Sequence, residues 1–137
     1  MLFKRKIYDK FLAWKTECAG KKALLVEGAR RIGKSTVVEE FAKNEYKSYI
    51  LIDFAKASSD VKEYFQLYLN DLDTFFMLLS VQYGVQLHER DSVIIFDEVQ
   101  LFPKAREAIK YLVADGRYDY METGSLISIK ENVKDIV

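Results

Sequence analysis

Apolar residues at the start of the chain recur with the spacing of a helix. Phe3, Ile7, Phe11, Trp14 and Cys18 are separated by three or four positions, so they share one face of a helix. The run Gly20–Lys22 interrupts this pattern. The spacing therefore predicts an amphipathic helix that ends before residue 20.

Four short apolar segments further along the chain are typical of strands. They cover residues 23–27, 49–54, 93–96 and, more weakly, 118–123. The segment 93–96 is β-branched or aromatic at every position, which predicts a strand buried on both faces. Helical spacing returns between the segments, and this alternation predicts an α/β fold with a parallel sheet.

The helical stretches carry their own start and stop signals. Residues suited to begin a helix are Ser58 or Ser59, Asn70 or Asp71, and Pro103, and residues suited to end one are Gly84 and Gly116. These signals predict helices on both sides of the segment 93–96 in the sequence.

Composition limits the class of protein. A chain of 137 residues, half of them hydrophobic and 31% charged, suits one globular domain and excludes disorder as the main state. The single cysteine, Cys18, excludes an internal disulfide framework and a cysteine-based metal site, and the single histidine, His88, argues against a histidine-based metal site. No apolar run approaches the ~20 residues of a membrane span, so we expect no membrane association and a reduced, cytoplasmic setting.

The net charge is zero, but the charges are unevenly distributed. Basic residues dominate the N-terminal third, and acidic residues dominate the rest. A positive N-terminal third suits an anionic ligand. No segment is basic enough to indicate nucleic acid.

The segment after the first predicted strand matches the phosphate-binding pattern G-x-x-x-x-G-K-[ST]. The candidate nucleotide-binding residues are Gly28, Ala29, Arg30, Arg31, Ile32, Gly33, Lys34 and Ser35, with Thr36 after them. Glycines let backbone N–H groups approach a phosphate chain, and the helix that follows directs its N-terminal N–H groups at the anion. Lys34 would reach the β- and γ-phosphates, and Ser35 would supply a hydroxyl to Mg²⁺.

Two carboxylates follow the buried strand directly. At the carboxyl end of a parallel strand, Asp97 and Glu98 would face the ligand crevice. Asp97 would hold Mg²⁺ together with Ser35, and Glu98 would orient and polarise the attacking water. The sequence therefore predicts a site for phosphoanhydride hydrolysis.

Taken together, these motifs resemble those of the prokaryotic AAA-type P-loop ATPases. The resemblance covers nearly the whole chain and is carried by residues 5–14, 28–36, 96–100 and 122–125. It is closest to a group with an R-x-x-G-K loop, a D-E-x-Q motif and a T-G-S strand. It implies the additional-strand class of P-loop folds, in which the strand order is fifth, first, fourth, third, second. It also implies that Thr123 and Ser125 sense the γ-phosphate or the water, so the catalytic candidates are Glu98, Lys34, Thr123 and Ser125.

Members of that group are longer than this chain. They continue into a fifth strand, a helical lid and a C-terminal domain that resembles nuclease folds. We therefore expect residues 1–137 to be a P-loop ATPase domain with about four parallel strands, the N-terminal portion of a longer protein cut before the fifth strand. The first strand would then be an exposed edge, so we expect self-association and slow or absent hydrolysis in the isolated chain.

The function that follows is Mg²⁺-dependent ATP binding and, in the complete protein, hydrolysis to ADP and phosphate. One alternative is a nucleotide-dependent switch that recruits a partner with little hydrolysis. Another is a small-molecule kinase that uses Asp53, at the end of the second strand, as its base. Gln100 is open to three interpretations, namely a γ-phosphate contact, a contact with a neighbouring chain, or a surface glutamine.

Overall fold

The computed structural model describes residues 2–28 and 34–125. The strands are β1 (Leu24–Gly28), β2 (Ser48–Asp53), β3 (Ser92–Asp97) and β4 (Asp119–Ser125). The α-helices are α1 (Leu2–Cys18), α2 (Lys34–Glu45), α3 (Ser59–Leu67), α4 (Leu72–Tyr83) and α5 (Pro103–Asp115), and a 3₁₀ turn spans Val99–Leu101.

The four strands form one parallel sheet in the order β1-β4-β3-β2. This confirms the predicted α/β fold of the P-loop type, a parallel sheet flanked by helices. Within the described part of the chain β1 lies at one edge of the sheet, and self-association through that edge stays a prediction.

The last strand is more extensively paired than its sequence indicates. The segment predicted as a weak strand is a seven-residue interior strand, β4, which pairs with β1 on one side and β3 on the other. Its polar residues Asp119, Glu122 and Thr123 are all buried. Glu122 lies inside β4, opposite Phe96 of β3. Each of these polar side chains has a hydrogen-bonding partner, and these bonds offset the cost of burying a polar group.

The core consists of two layers, one on each face of the sheet. On one face, Ile94, Phe96 and Tyr120 pack among the apolar residues of α3, α4 and α5. On the other face, Ile95 and Met121 pack among those of α1 and α2. Successive residues of a strand alternate between faces, so the sequence position of a β3 or β4 residue decides which helices it meets.

Helix ends follow the predicted signals. Ser58 caps α3 by accepting a hydrogen bond from the backbone N–H of Val61 at 3.3 Å, and Asp71 caps α4 in the same way. Gly84 and Gly116 end α4 and α5 in the left-handed conformation, at φ 64° and 83°, which glycine adopts without a steric penalty.

Polar contacts around the buried carboxylate of Asp119 lie at the amino edge of the sheet. The carboxylate of Asp119 accepts hydrogen bonds from the Tyr46 hydroxyl and, at 2.5 Å, from Arg90 Nη2. Burial and the neighbouring Asp119 raise the pKa of Tyr46, so its phenol stays protonated and keeps donating. The network ties the end of α2 to the start of β4, at the edge opposite the carboxyl ends of the strands.

Candidate functional site

Polar side chains from three elements meet at the carboxyl edge of the sheet. Ser35 lies in the first turn of α2, Asp97 ends β3, and Thr123 lies near the end of β4. Oδ1 of Asp97 accepts a hydrogen bond from Ser35 Oγ at 2.7 Å and another from Thr123 Oγ1 at 2.5 Å. One oxygen of Asp97 therefore binds two residues that lie 62 and 26 positions away from it in the sequence.

Strand alternation explains why these three side chains meet. Alternate residues of a strand point to the same face of the sheet. Asp97 lies two residues after Ile95, and Thr123 lies two residues after Met121, so both point to the face covered by α2. Ser35 enters from the start of that helix. The cluster therefore follows from the register of the two central strands and the position of α2.

The carboxylate of Asp97 lies in a buried environment, where a charge is costly without partners. Asp97 is 8% exposed and Thr123 is fully buried. Both observed donors to Asp97 are neutral hydroxyls, which reduce the desolvation cost of a carboxylate without cancelling its charge. Hydroxyl and carboxylate oxygens are hard ligands that suit Mg²⁺. Within residues 2–28 and 34–125 no three His, Cys, Asp or Glu side chains group as a metal site, so a cation here would need hydroxyl or ligand oxygens as well.

Glu98 is held in an unusual backbone conformation. Its φ and ψ are 58° and 48°, the left-handed region that residues with a side chain rarely adopt. Its backbone N–H donates to Thr123 Oγ1 at 3.0 Å, and its Oε1 accepts from Gln100 Nε2 at 2.7 Å. The Thr123 hydroxyl thus contacts both Asp97 and Glu98, and fixes the two acids relative to each other.

The predicted phosphate loop is only partly within the described residues. Ala29, Arg30, Arg31, Ile32 and Gly33 lie outside them. At the borders of this gap, Gly28 ends β1 beside Ser125 of β4, and Lys34 begins α2. The side chains of Lys34 and Ser125 are not among those described, and Thr36 is exposed in the first turn of α2. The strand that ends at Gly28 and the helix that begins at Lys34 are therefore present on either side of the motif, and the roles of these residues stay predictions.

Comparison with protein families agrees with this arrangement. A family model described as "AAA domain" matches residues 20–135. The chain belongs to the AAA domain family. Membership indicates a nucleotide-binding domain of the ATPase type. None of the curated proteins and none of the solved structures that were compared matches the chain.

Asp53 of this AAA domain has a local structural partner. Its Oδ1 accepts a hydrogen bond from the backbone N–H of Ala55 at 2.9 Å, which caps the turn after β2. It pairs in register with Asp97, so it does lie at the carboxyl edge of the sheet. The contact with Ala55 gives Asp53 a structural role and does not favour a kinase-type base.

The buried pair Arg106–Glu122 is a feature of the AAA domain that sequence reasoning missed. Nη1 of Arg106, on α5, donates to both carboxylate oxygens of Glu122 at 2.6 and 2.7 Å, and both side chains are at most 5% exposed. Burial raises the pKa of Glu122, and Arg106 opposes that rise. The available signal was the position of Arg106 three residues before Ile109, on the apolar stripe of α5.

None of the helices among the described residues combines the length and the apolar character needed to cross a membrane.

Proposed function

We propose that this AAA domain binds ATP with Mg²⁺ and, in the complete protein, hydrolyses it to ADP and phosphate. The observation that carries the proposal is the hydrogen-bonded cluster of Ser35, Asp97 and Thr123. The cluster joins the start of α2, directly after the glycine loop, to the carboxyl ends of the two central strands. In open α/β sheets this edge is where ligands bind.

The oxygen atoms of the cluster fit a magnesium ion. Ser35 and Asp97 would hold Mg²⁺, since they supply a hydroxyl and a carboxylate oxygen that already lie within 2.7 Å of each other. When bound with ATP, the ion neutralises charge on the β- and γ-phosphates. The N-terminal N–H groups of α2 and the ammonium group of Lys34 would hold the phosphates themselves.

Glu98 would orient and deprotonate the attacking water. It follows Asp97 directly, and the Thr123 hydroxyl donates to Asp97 while accepting from the backbone of Glu98. Thr123 would thereby keep the base at a fixed position relative to the metal ligand, and Ser125, two residues further along β4, would sense the γ-phosphate or the water. Positioning of this kind supplies much of the catalysis in phosphoryl transfer.

Substitution of the loop lysine tests the binding site. We expect Lys34→Ala to lower Mg-ATP affinity by roughly 100-fold, about 2.7 kcal/mol, because a charge-assisted contact with phosphate is lost. Isothermal titration calorimetry measures the affinity, and circular dichroism checks that the fold is intact. Lys43→Ala, at an exposed position in the last turn of the same helix, is the matched control and should bind like the wild type. Equal affinities for the two variants would contradict the assignment of the loop.

A further inference from the structure

Gln100 contacts Glu98 across a tight turn. Residues i and i+2 of a regular helix do not face each other. Here the left-handed backbone of Glu98 leads into the 3₁₀ turn Val99–Leu101 and brings the two side chains together at 2.7 Å. The turn is anchored, because Val99 is fully buried and the Leu101 N–H donates to the Glu98 carbonyl at 3.0 Å. The contact between the side chains is therefore built into the backbone.

We propose that Gln100 is a positioning residue that orients the carboxylate of Glu98 for the attacking water. This inference rests on the proposed hydrolytic role of Glu98. The Gln100 amide fixes Oε1, and the Thr123 hydroxyl fixes the backbone of the same residue, so the glutamate is held at both ends. With Oε1 engaged, the contact with water is assigned to Oε2.

The geometry favours this role over that of a surface glutamine. Glutamate loses rotamer freedom when its carboxylate must point in one direction, and a neighbouring donor reduces that cost before substrate arrives. Gln100 supplies this donor from a position two residues away, on a turn whose first residue, Val99, is fully buried. Its amide thus orients the base and does not itself touch the reacting atoms.

Isosteric replacement separates orientation from packing. Gln100→Glu keeps the shape of the side chain but, when ionised, has no donor and repels Glu98. We expect kcat for ATP hydrolysis by the complete protein to fall about tenfold in Gln100→Ala and further in Gln100→Glu, with KM unchanged, because part of the contribution of the general base is lost. Neither substitution should lower kcat further in a Glu98→Gln background. Gln66→Ala, at an exposed glutamine of α3, should match the wild type. Wild-type kcat in Gln100→Glu would overturn the proposal.

A second measurement does not depend on turnover. In ¹H–¹⁵N NMR spectra of the chain, we expect Glu98→Ala to shift the side-chain amide resonances of Gln100 and leave those of Gln66 in place. Unmoved Gln100 resonances would overturn the proposal whatever the hydrolysis assay shows. A complete protein that binds Mg-ATP without turnover would contradict the hydrolytic half of the proposed function, and the NMR result alone would then decide whether Gln100 orients Glu98.

Discussion

In the complete protein, Glu98→Gln is expected to lower kcat for ATP hydrolysis by about 10²–10⁴-fold and to leave Mg-ATP affinity unchanged. The amide keeps the size of the side chain but cannot accept a proton from water. Binding should persist because Glu98 is assigned to the water and the neighbouring Asp97 to the metal. A phosphate-release assay gives kcat, and calorimetry gives the affinity.

The matched control for this substitution is Glu63→Gln, at an exposed glutamate of α3. It removes the same charge away from the site, so kcat and affinity should both match the wild type. If Glu98→Gln instead lost affinity and kept its turnover at saturating Mg-ATP, Glu98 would be a binding residue and the division of roles between the two acids would be wrong.

Arg106→Met is expected to lower the free energy of unfolding by about 3–5 kcal/mol at neutral pH. Methionine fills much of the arginine volume, so the loss comes mainly from the uncompensated carboxylate of Glu122, which is fully buried. Urea unfolding followed by circular dichroism measures it. Lys104→Met, at an exposed position of the same helix, removes the same charge and should change stability little.

The loss of stability in Arg106→Met should depend on pH. Burial raises the pKa of Glu122, and without the opposing arginine the pKa in the folded state rises further. A carboxyl group with a raised folded-state pKa adds stability below its unfolded pKa, and this stability is lost as pH rises through the folded-state pKa. The deficit should therefore be smaller at about pH 5 than at about pH 8.

A double substitution provides the control for this buried pair. Arg106→Met combined with Glu122→Leu should recover most of the stability and lose this pH dependence, since the buried carboxyl group of Glu122 is removed. Nε and Nη2 of Arg106 are buried and lack hydrogen-bond partners in the described structure, which adds to the cost of keeping the pair. A deficit that stayed the same at both pH values would show that Arg106 acts through packing and not through its charge.

Periodicity predicted the architecture because each element of this chain carries a local signal. The segment 93–96 is continuously apolar, and it became β3, whose six residues are all buried. Glycine and serine signals placed the ends of α3, α4 and α5 within about a residue. Local composition decides such features, so no knowledge of tertiary contacts was needed.

The interior polar contacts were not predictable in the same way. In the sequence alone, the charged Glu122 does not suit an interior strand. Only the packing of α5 against β4 shows that Arg106 neutralises its charge. The Glu98–Gln100 contact depends on a left-handed residue that is not glycine, which no propensity scale predicts. For the site, the motifs identified Ser35, Asp97 and Thr123, whereas their meeting at one carboxylate oxygen required the register of the sheet.

The dependence of ATP affinity on Mg²⁺ tests the central claim most directly. Calorimetric titration of the wild-type chain with ATP, with and without Mg²⁺, should show binding that tightens when the ion is present. In Asp97→Asn this gain should be largely lost, because the buried carboxylate that joins Ser35 and Thr123 no longer carries a charge for the cation. A wild-type chain that does not bind ATP, or an Asp97→Asn variant with the full magnesium dependence of the wild type, would contradict the account.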